Sequence, residues 1–244
     1  MNFIASPNLP EAAVCEVMIG QRYFRKLNEG LTGLGINIIQ VPDNDNIDPR
    51  IAGHADMSAV HLGEERILIS SVIARMKPEL EKAGYKISVS GLKQKSNYPA
   101  DIGLNGCIVG NAVICMEKAS DNTMLDGRKI INVKQGYAKC SVCVIDEKHK
   151  ISDDPGIYSA CEKNGIECLY VSKGGILLDG FDNGFIGGSC FKANKNIVAF
   201  TGSLKKHPDE YIIMKYLEKL GIETVFLTNE PCFDVGSIIP LKTA

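Results

Sequence analysis

The feature that most constrains this 244-residue chain is a phrase it repeats: an amphipathic helix, a glycine, then a short β-branched strand. Copies end in Leu34–Val41, Ala83–Val89, Asn164–Val171 and Leu220–Leu227. In each, the glycine (Gly35, Gly84, Gly165, Gly221) suits the left-handed position that closes a helix, where a Cβ would be strained. The preceding segments have helical period, with Val72, Ile73, Met76, Leu80 and Ala83 on one face and Ile213, Tyr216, Leu217 and Leu220 on another. Gly35 and Gly84 are 49 residues apart, Gly165 and Gly221 are 56, and the interval of 81 between Gly84 and Gly165 has room for one more copy. A degenerate one lies there, Gly127–Val133, with no convincing helix before it. Five units of roughly 49 residues then account for the chain.

A second phrase follows each strand, a hairpin around a polar turn such as Glu64-Glu65, Gly110-Asn111, Asp146-Glu147-Lys148 or Asn194-Lys195. The last unit reaches Phe233–Leu241 and lacks its partner strand, which Asn2–Ser6 at the other terminus is expected to supply. Such pairing closes the units into a ring and removes the exposed edges of an open array. The expected fold is therefore α/β, a closed five-bladed propeller, with residues 1–244 forming one domain.

Composition excludes several classes of function. Lys+Arg number 27 against Asp+Glu 29, so there is no basic surplus for nucleic acid or an anionic membrane. No apolar run approaches the roughly 20 residues needed to cross a bilayer, and the N-terminal segment does not read as a signal peptide. Nine cysteines, an odd number scattered from Cys15 to Cys232, fit a reducing cytoplasm better than a disulfide scaffold. The sequence leaves homo-oligomerisation open.

Carboxylates recur at equivalent points: Asp56 and Asp101 begin two hairpins, and Asp234 fits the same position less well. Inward carboxylates around a ring repel one another unless something cationic lies between them, which points to a polar central cavity. The alternative is that each caps its own turn. Cys140 and Cys143 have metal-like spacing, but the run from Ser141 to Ile145 reads as strand, so the two thiols would face opposite sides and no zinc site is expected. The glycine-rich stretch Gly174–Gly188, with Asp179 and Asp182, has no phosphate-loop pattern and reads as a crossover at the mouth of the ring. His61 and His149 are expected in solvent at hairpin turns, and His207 as a helix cap.

Five such units, with His54-Ala55-Asp56 starting one hairpin and the wording of Gly136–Cys143, Gly184–Gly188 and Asp234–Pro240, resemble the pentein, or guanidine-modifying-enzyme, superfamily, and in that wording an uncharacterised bacterial branch of it. The resemblance implies a pseudo-fivefold α/β propeller. It also implies a cysteine nucleophile, a histidine acid/base and carboxylates that hold a cationic guanidino or amidino compound, without metal or organic cofactor. Cys140 lies two blades after His54, the family's blade separation, although the last blade carries Asp234 where a thiol is expected and the blade order would be permuted. On that resemblance Cys140 and His54 are the candidate catalytic pair, and Asp56, Asp101, Asp182 and Asp234 the candidate substrate carboxylates. The superfamily also contains non-catalytic ribosome-binding members, so a small-ligand enzyme and an interaction protein remain the two readings.

Overall fold

The computed structural model describes residues 1–244. It contains five small sheets built to one plan: an antiparallel hairpin, a helix, and a third strand returning parallel to the second. Blade 2 comprises β4 (Ala59–Gly63), β5 (Arg66–Ile69), helix α2 (Lys77–Lys82) and β6 (Lys86–Val89). Blade 3 has β7 (Cys107–Val109), β8 (Ala112–Cys115), α3 (Asn122–Leu125) and β9 (Lys129–Asn132). Blade 4 opens with a helical turn, α4 (Ala138–Ser141), then β10 (Val142–Val144), β11 (His149–Ser152), α5 (Pro155–Lys163) and β12 (Glu167–Tyr170). Blade 5 has β13 (Cys190–Asn194), β14 (Ile197–Phe200), α6 (Glu210–Lys219) and β15 (Glu223–Phe226).

Blade 1 joins the two ends of the chain. Its strands are β16 (Ile239–Thr243), β2 (Val14–Gly20) and, after α1 (Phe24–Gly33), β3 (Asn37–Val41). The hairpin partner of the last strand is thus β2. The expected partner segment forms β1 (Asn2–Phe3), which pairs with the opposite edge of β16 as a fourth strand. The ring closes through the termini as anticipated, with a different segment in the central place. Val14–Gly20 was overlooked because it precedes the first helix–glycine phrase and so has no repeat to mark it.

The repeated glycine does what the spacing demanded. Gly35, Gly84, Gly127, Gly165 and Gly221 have φ of 75°, 93°, 69°, 73° and 68°, all in the left-handed region. In four of the five blades the residue after the glycine donates its N–H back to a buried helix residue: Ile36 to Leu31, Tyr85 to Leu80, Ile166 to Cys161 and Ile222 to Leu217. One side chain per helix thus anchors the core while its carbonyl ends the helix. Blade 3 is the degenerate copy; its helix is a single turn capped by Asp121, which accepts from Thr123 N.

Five apolar clusters lie between neighbouring blades and carry the ring. Val60 and Leu62 meet Leu104 and Ile108 between blades 2 and 3. Val109 meets Val142 and Val144, Cys143 and Ile151 meet Cys190 and Phe200, Phe191 meets Val17 and Ile19, and Ile239 and Leu241 meet Ala59 and Ile67. Each blade therefore buries apolar surface on both flanks, and no blade is spare. No helix is long and apolar enough to cross a membrane.

Candidate functional site

The segment that enters the first strand of each blade comes to the middle of the ring. These segments carry His54 and Asp56, Asp101 and Asn105, Lys139 and Cys140, Gly187–Ser189, and Asp234 with Ser237. Equivalent positions in a closed repeat converge, so residues up to 181 positions apart, Asp56 and Ser237, share a hydrogen bond of 2.9 Å.

Cys140 lies in α4, not in a strand. A tight helical turn replaces the start of the expected run, so Cys140 faces the site while Cys143 lies in the core beside Cys190. The Cys140 thiol donates to Asp56 Oδ2 at 3.0 Å, and Asn105 Nδ2 donates to its sulfur at 3.3 Å. Asn105 Oδ1 also accepts from Lys139 N at 3.0 Å and pins the turn. The donor atoms of His54, Cys140 and Asp234 all lie within 4.8 Å of one another. His54 Nδ1 is 4.0 Å from Asp234 Oδ1, and its Nε2 is buried with no protein partner. His54 caps the turn Ala55–Met57 through its backbone alone, which leaves the ring free for chemistry.

The carboxylates divide in role. Asp56 Oδ2 takes the thiol and Ser237, while Oδ1 is buried and unpartnered. Asp101 Oδ2 accepts the Tyr137 hydroxyl at 2.6 Å, and its Oδ1 is likewise unpartnered. Asp234 is partly a turn cap: Oδ1 accepts from Gly236 N at 2.8 Å and Oδ2 from Phe185 N at 2.9 Å. Asp182 is exposed and makes no hydrogen bond to the cluster, because its loop turns outward before Gly184. His61, expected in solvent, is buried with Nε2 2.8 Å from Glu64 O, and burial lowers its pKa to about 4. His149 is half-buried against Asp146, and His207 Nδ1 accepts from Asp209 N just before α6.

Glycines let the backbone approach. A Cβ on Gly188 would stand 2.0 Å from Asp234 Oδ1, and one on Gly236 (φ 66°) would stand 2.1 Å from His54 Cβ. The glycine-rich crossover is thus a wall of the site. Its Leu177–Gly180 portion borders a cleft of about 500 Å³, together with Arg22, Lys26 and Arg50. Asp234 and Tyr23 also border it, and the Tyr23 ring centroid is 6.0 Å from that of His54, so the cleft leads to the cluster. A cleft of similar size, 480 Å³, lies by the N-terminal segment and contains none of these residues.

Burial sets the resting charge. It raises the Cys140 pKa well above its ordinary value, and the carboxylates of Asp56 and Asp234 add to the rise, so the thiol rests protonated. Asp56 is raised by burial, with His54, Cys140 and Lys139 pulling the other way. Asp153, just after β11, escaped the sequence reading; it is buried with an unpartnered Oδ1, and burial pushes its pKa up to about 7. Asn105, Lys139 and Ser237 were missed too, although aligning the pre-strand segment of every blade would have exposed them.

Solved structures with the same fold include an amidinotransferase of the saxitoxin pathway from Microseira wollei, with 11% identity and a TM-score of 0.57 over 96% of both chains. Inosamine-phosphate amidinotransferase from Streptomyces griseus matches at 11% identity and TM-score 0.57, over 99% of this chain and 97% of that one. Agmatine deiminase from C. jejuni with substrate bound matches at 12% identity and TM-score 0.59, over 100% of this chain and 97% of that one. All three are penteins, and the five-bladed ring described above is the pentein fold. No curated protein sequence matches the chain. Residues 18–239 match the model of the family of unknown function DUF6873, and the chain belongs to that family.

Proposed function

We propose that this protein modifies a small guanidino or amidino compound through a covalent intermediate on Cys140. The observation that carries this reading is a buried thiol and imidazole, with donor atoms within 4.8 Å, and two buried carboxylates on the entry segments with unpartnered oxygens: Asp56 Oδ1, whose Oδ2 accepts the thiol, and Asp101 Oδ1. Buried acceptors without donors are costly in a finished structure, and a planar cation with several N–H groups is the ligand that satisfies them. The chain's similarity to amidinotransferases and an agmatine deiminase supports the same substrate class.

The charge arrangement suggests the sequence of events. The cation enters through the cleft and offsets the carboxylates that hold the thiol neutral, which lowers the barrier to losing its proton. The thiolate adds to the central amidino carbon, and the C=N electron pair moves onto nitrogen. His54, having taken the thiol's proton, gives it to the departing amine as the C–N bond breaks. An amidino group remains on sulfur. Neutral His54 then takes a proton from water or an acceptor amine, which attacks the carbon and releases the thiolate. Water makes the reaction a hydrolysis; an amine makes it a transfer.

The test is incubation with arginine, agmatine and methylarginines, followed by assay of ureido product, ammonia and exchanged amidino groups. Turnover abolished by Cys140→Ala supports the proposal; turnover that persists in that variant overturns it. The protonated resting thiol favours a second reading, a cation-binding protein without chemistry. Saturable binding of these compounds with no product from any of them would establish it.

A further inference from the structure

Lys139 is buried, 8% exposed, directly before the nucleophile candidate, and forms no ion pair with any carboxylate. Its ammonium donates instead to Ser237 Oγ at 3.0 Å. That hydroxyl has one proton, aimed at Asp56 Oδ2 at 2.9 Å and Gly187 O at 3.2 Å. Asp56 Oδ2 in turn receives the Cys140 thiol. The chain of contacts Lys139–Ser237–Asp56–Cys140 thus crosses from blade 4 to the last strand's entry segment, on to blade 2, and back.

The backbone at Ser237 is a second, independent observation. Its φ is 67°, in the left-handed region that favours glycine. Strain of this kind persists where the surroundings require it and clusters at functional sites. Glycine would relieve the strain, yet the position holds a small hydroxyl side chain able to accept from an ammonium and donate to a carboxylate.

We propose that Lys139, acting through Ser237, is a positioning residue that holds Asp56 charged and turned toward an incoming cation. This deepens the function proposed above and rests on it. The charged and titratable groups facing Asp56 are His54 on its own segment, Cys140 and Lys139 on α4, and Asp234 beside Gly236. Of these, Lys139 brings a positive charge that depends neither on substrate nor on the protonation of an imidazole. Without it, Asp56 and Asp234 would face each other with no fixed cation nearby, which favours the protonated form of Asp56. Lys139 does not touch the reacting atoms; its effect reaches them by one hydroxyl.

The experiment compares capture of Cys140 by two small electrophiles of similar reactivity, a neutral haloacetamide and a cationic haloacetamidine, read as peptide mass against pH in the full-length protein. Wild type should take the cation in preference. Ser237→Gly suits the φ of 67° and should fold. It and Lys139→Met should lower the cation-to-neutral ratio by about tenfold and move the midpoint for cation capture up by about one pH unit. Lys139→Arg, which keeps the charge, should restore most of the ratio. An unchanged ratio and midpoint in Ser237→Gly would overturn the relay while leaving Cys140 as a cation-directed thiol. Absence of any cation preference in wild type would overturn the relay and the proposed substrate class together.

Discussion

Cys140 Sγ and Asp56 Oδ2 are 3.0 Å apart, although 84 positions separate them in sequence. The contact exists because both residues stand at the same point of the repeat, in blades 4 and 2, and the closed ring turns equal positions toward one axis. It also makes the thiol weakly acidic, since a buried anion next to it opposes a second negative charge.

Labelling by a neutral haloacetamide should therefore find Cys140 slow below pH 9. The thiolate fraction rises only as pH passes a pKa that burial and Asp56 have raised above 9.0. Cys15, the one thiol that is not buried, should label first, and Cys140 should reach the rate of an ordinary cysteine only on unfolding. Peptide mass mapping across pH 7 to 11 checks this; a plateau for Cys140 below pH 9 contradicts it.

Gly236→Ala should damage the site more than the fold. The new methyl would stand 2.1 Å from His54 Cβ, at a φ of 66° where alanine is strained in any case. A cost of about 1–3 kcal/mol in chemical unfolding is expected, while His54 must shift from its place beside Asp234 and Cys140. Any amidino-modifying turnover should fall by at least about a hundredfold, as displacement of a reacting group by an ångström does.

Much of this fold is legible in the sequence because its information is periodic. Gly35, Gly84, Gly165 and Gly221 each mark a helix end that physics restricts almost to glycine, and their spacing counts the blades. Strands without that mark were harder: β2 precedes the first glycine, and its place went to Asn2–Ser6. The candidate site was legible where a carboxylate recurred at the hairpin start, as with Asp56 and Asp101, and where the family resemblance pointed to His54 and Cys140. Asn105 and Ser237 were not, because polar neutral residues are common in turns, and only the ring shows that Asn105 meets the thiol and Ser237 meets Asp56. Asp182 looked equivalent in composition, yet the loop's path leaves it exposed.

Asp153 should make stability depend on pH in a particular window. Its carboxyl titrates near 7 in the fold against an ordinary value of 3.8. Between these values the native state binds more protons than the unfolded chain, so stability falls as pH rises and levels off above the folded value. Asp153→Asn removes that loss. The variant's advantage over wild type should grow from about pH 4 to about pH 7 and then stay constant. An advantage of at least about 1 kcal/mol, or roughly 2–4 °C in Tm, is expected at neutral pH. His61, held neutral with a pKa of about 4, slopes the opposite way in both proteins, so the difference between them isolates Asp153.

Asp56→Asn separates the two jobs of one carboxylate. Removing the charge relieves the repulsion that keeps Cys140 protonated, so capture by a neutral electrophile should become faster at a given pH. Removing the same charge deletes an acceptor for an incoming cation, so capture by a haloacetamidine should become slower, by about ten- to a hundredfold on the scale of a charged hydrogen bond. Asp182→Asn, exposed and outside the cluster, should change neither rate. Opposite signs from a single isosteric substitution are hard to produce by a general loosening of the fold, which would speed both reagents. If Asp56→Asn moves both rates in the same direction, Asp56 is a structural hydrogen-bond acceptor for Ser237 and the thiol, and the cation must be received elsewhere in the cavity.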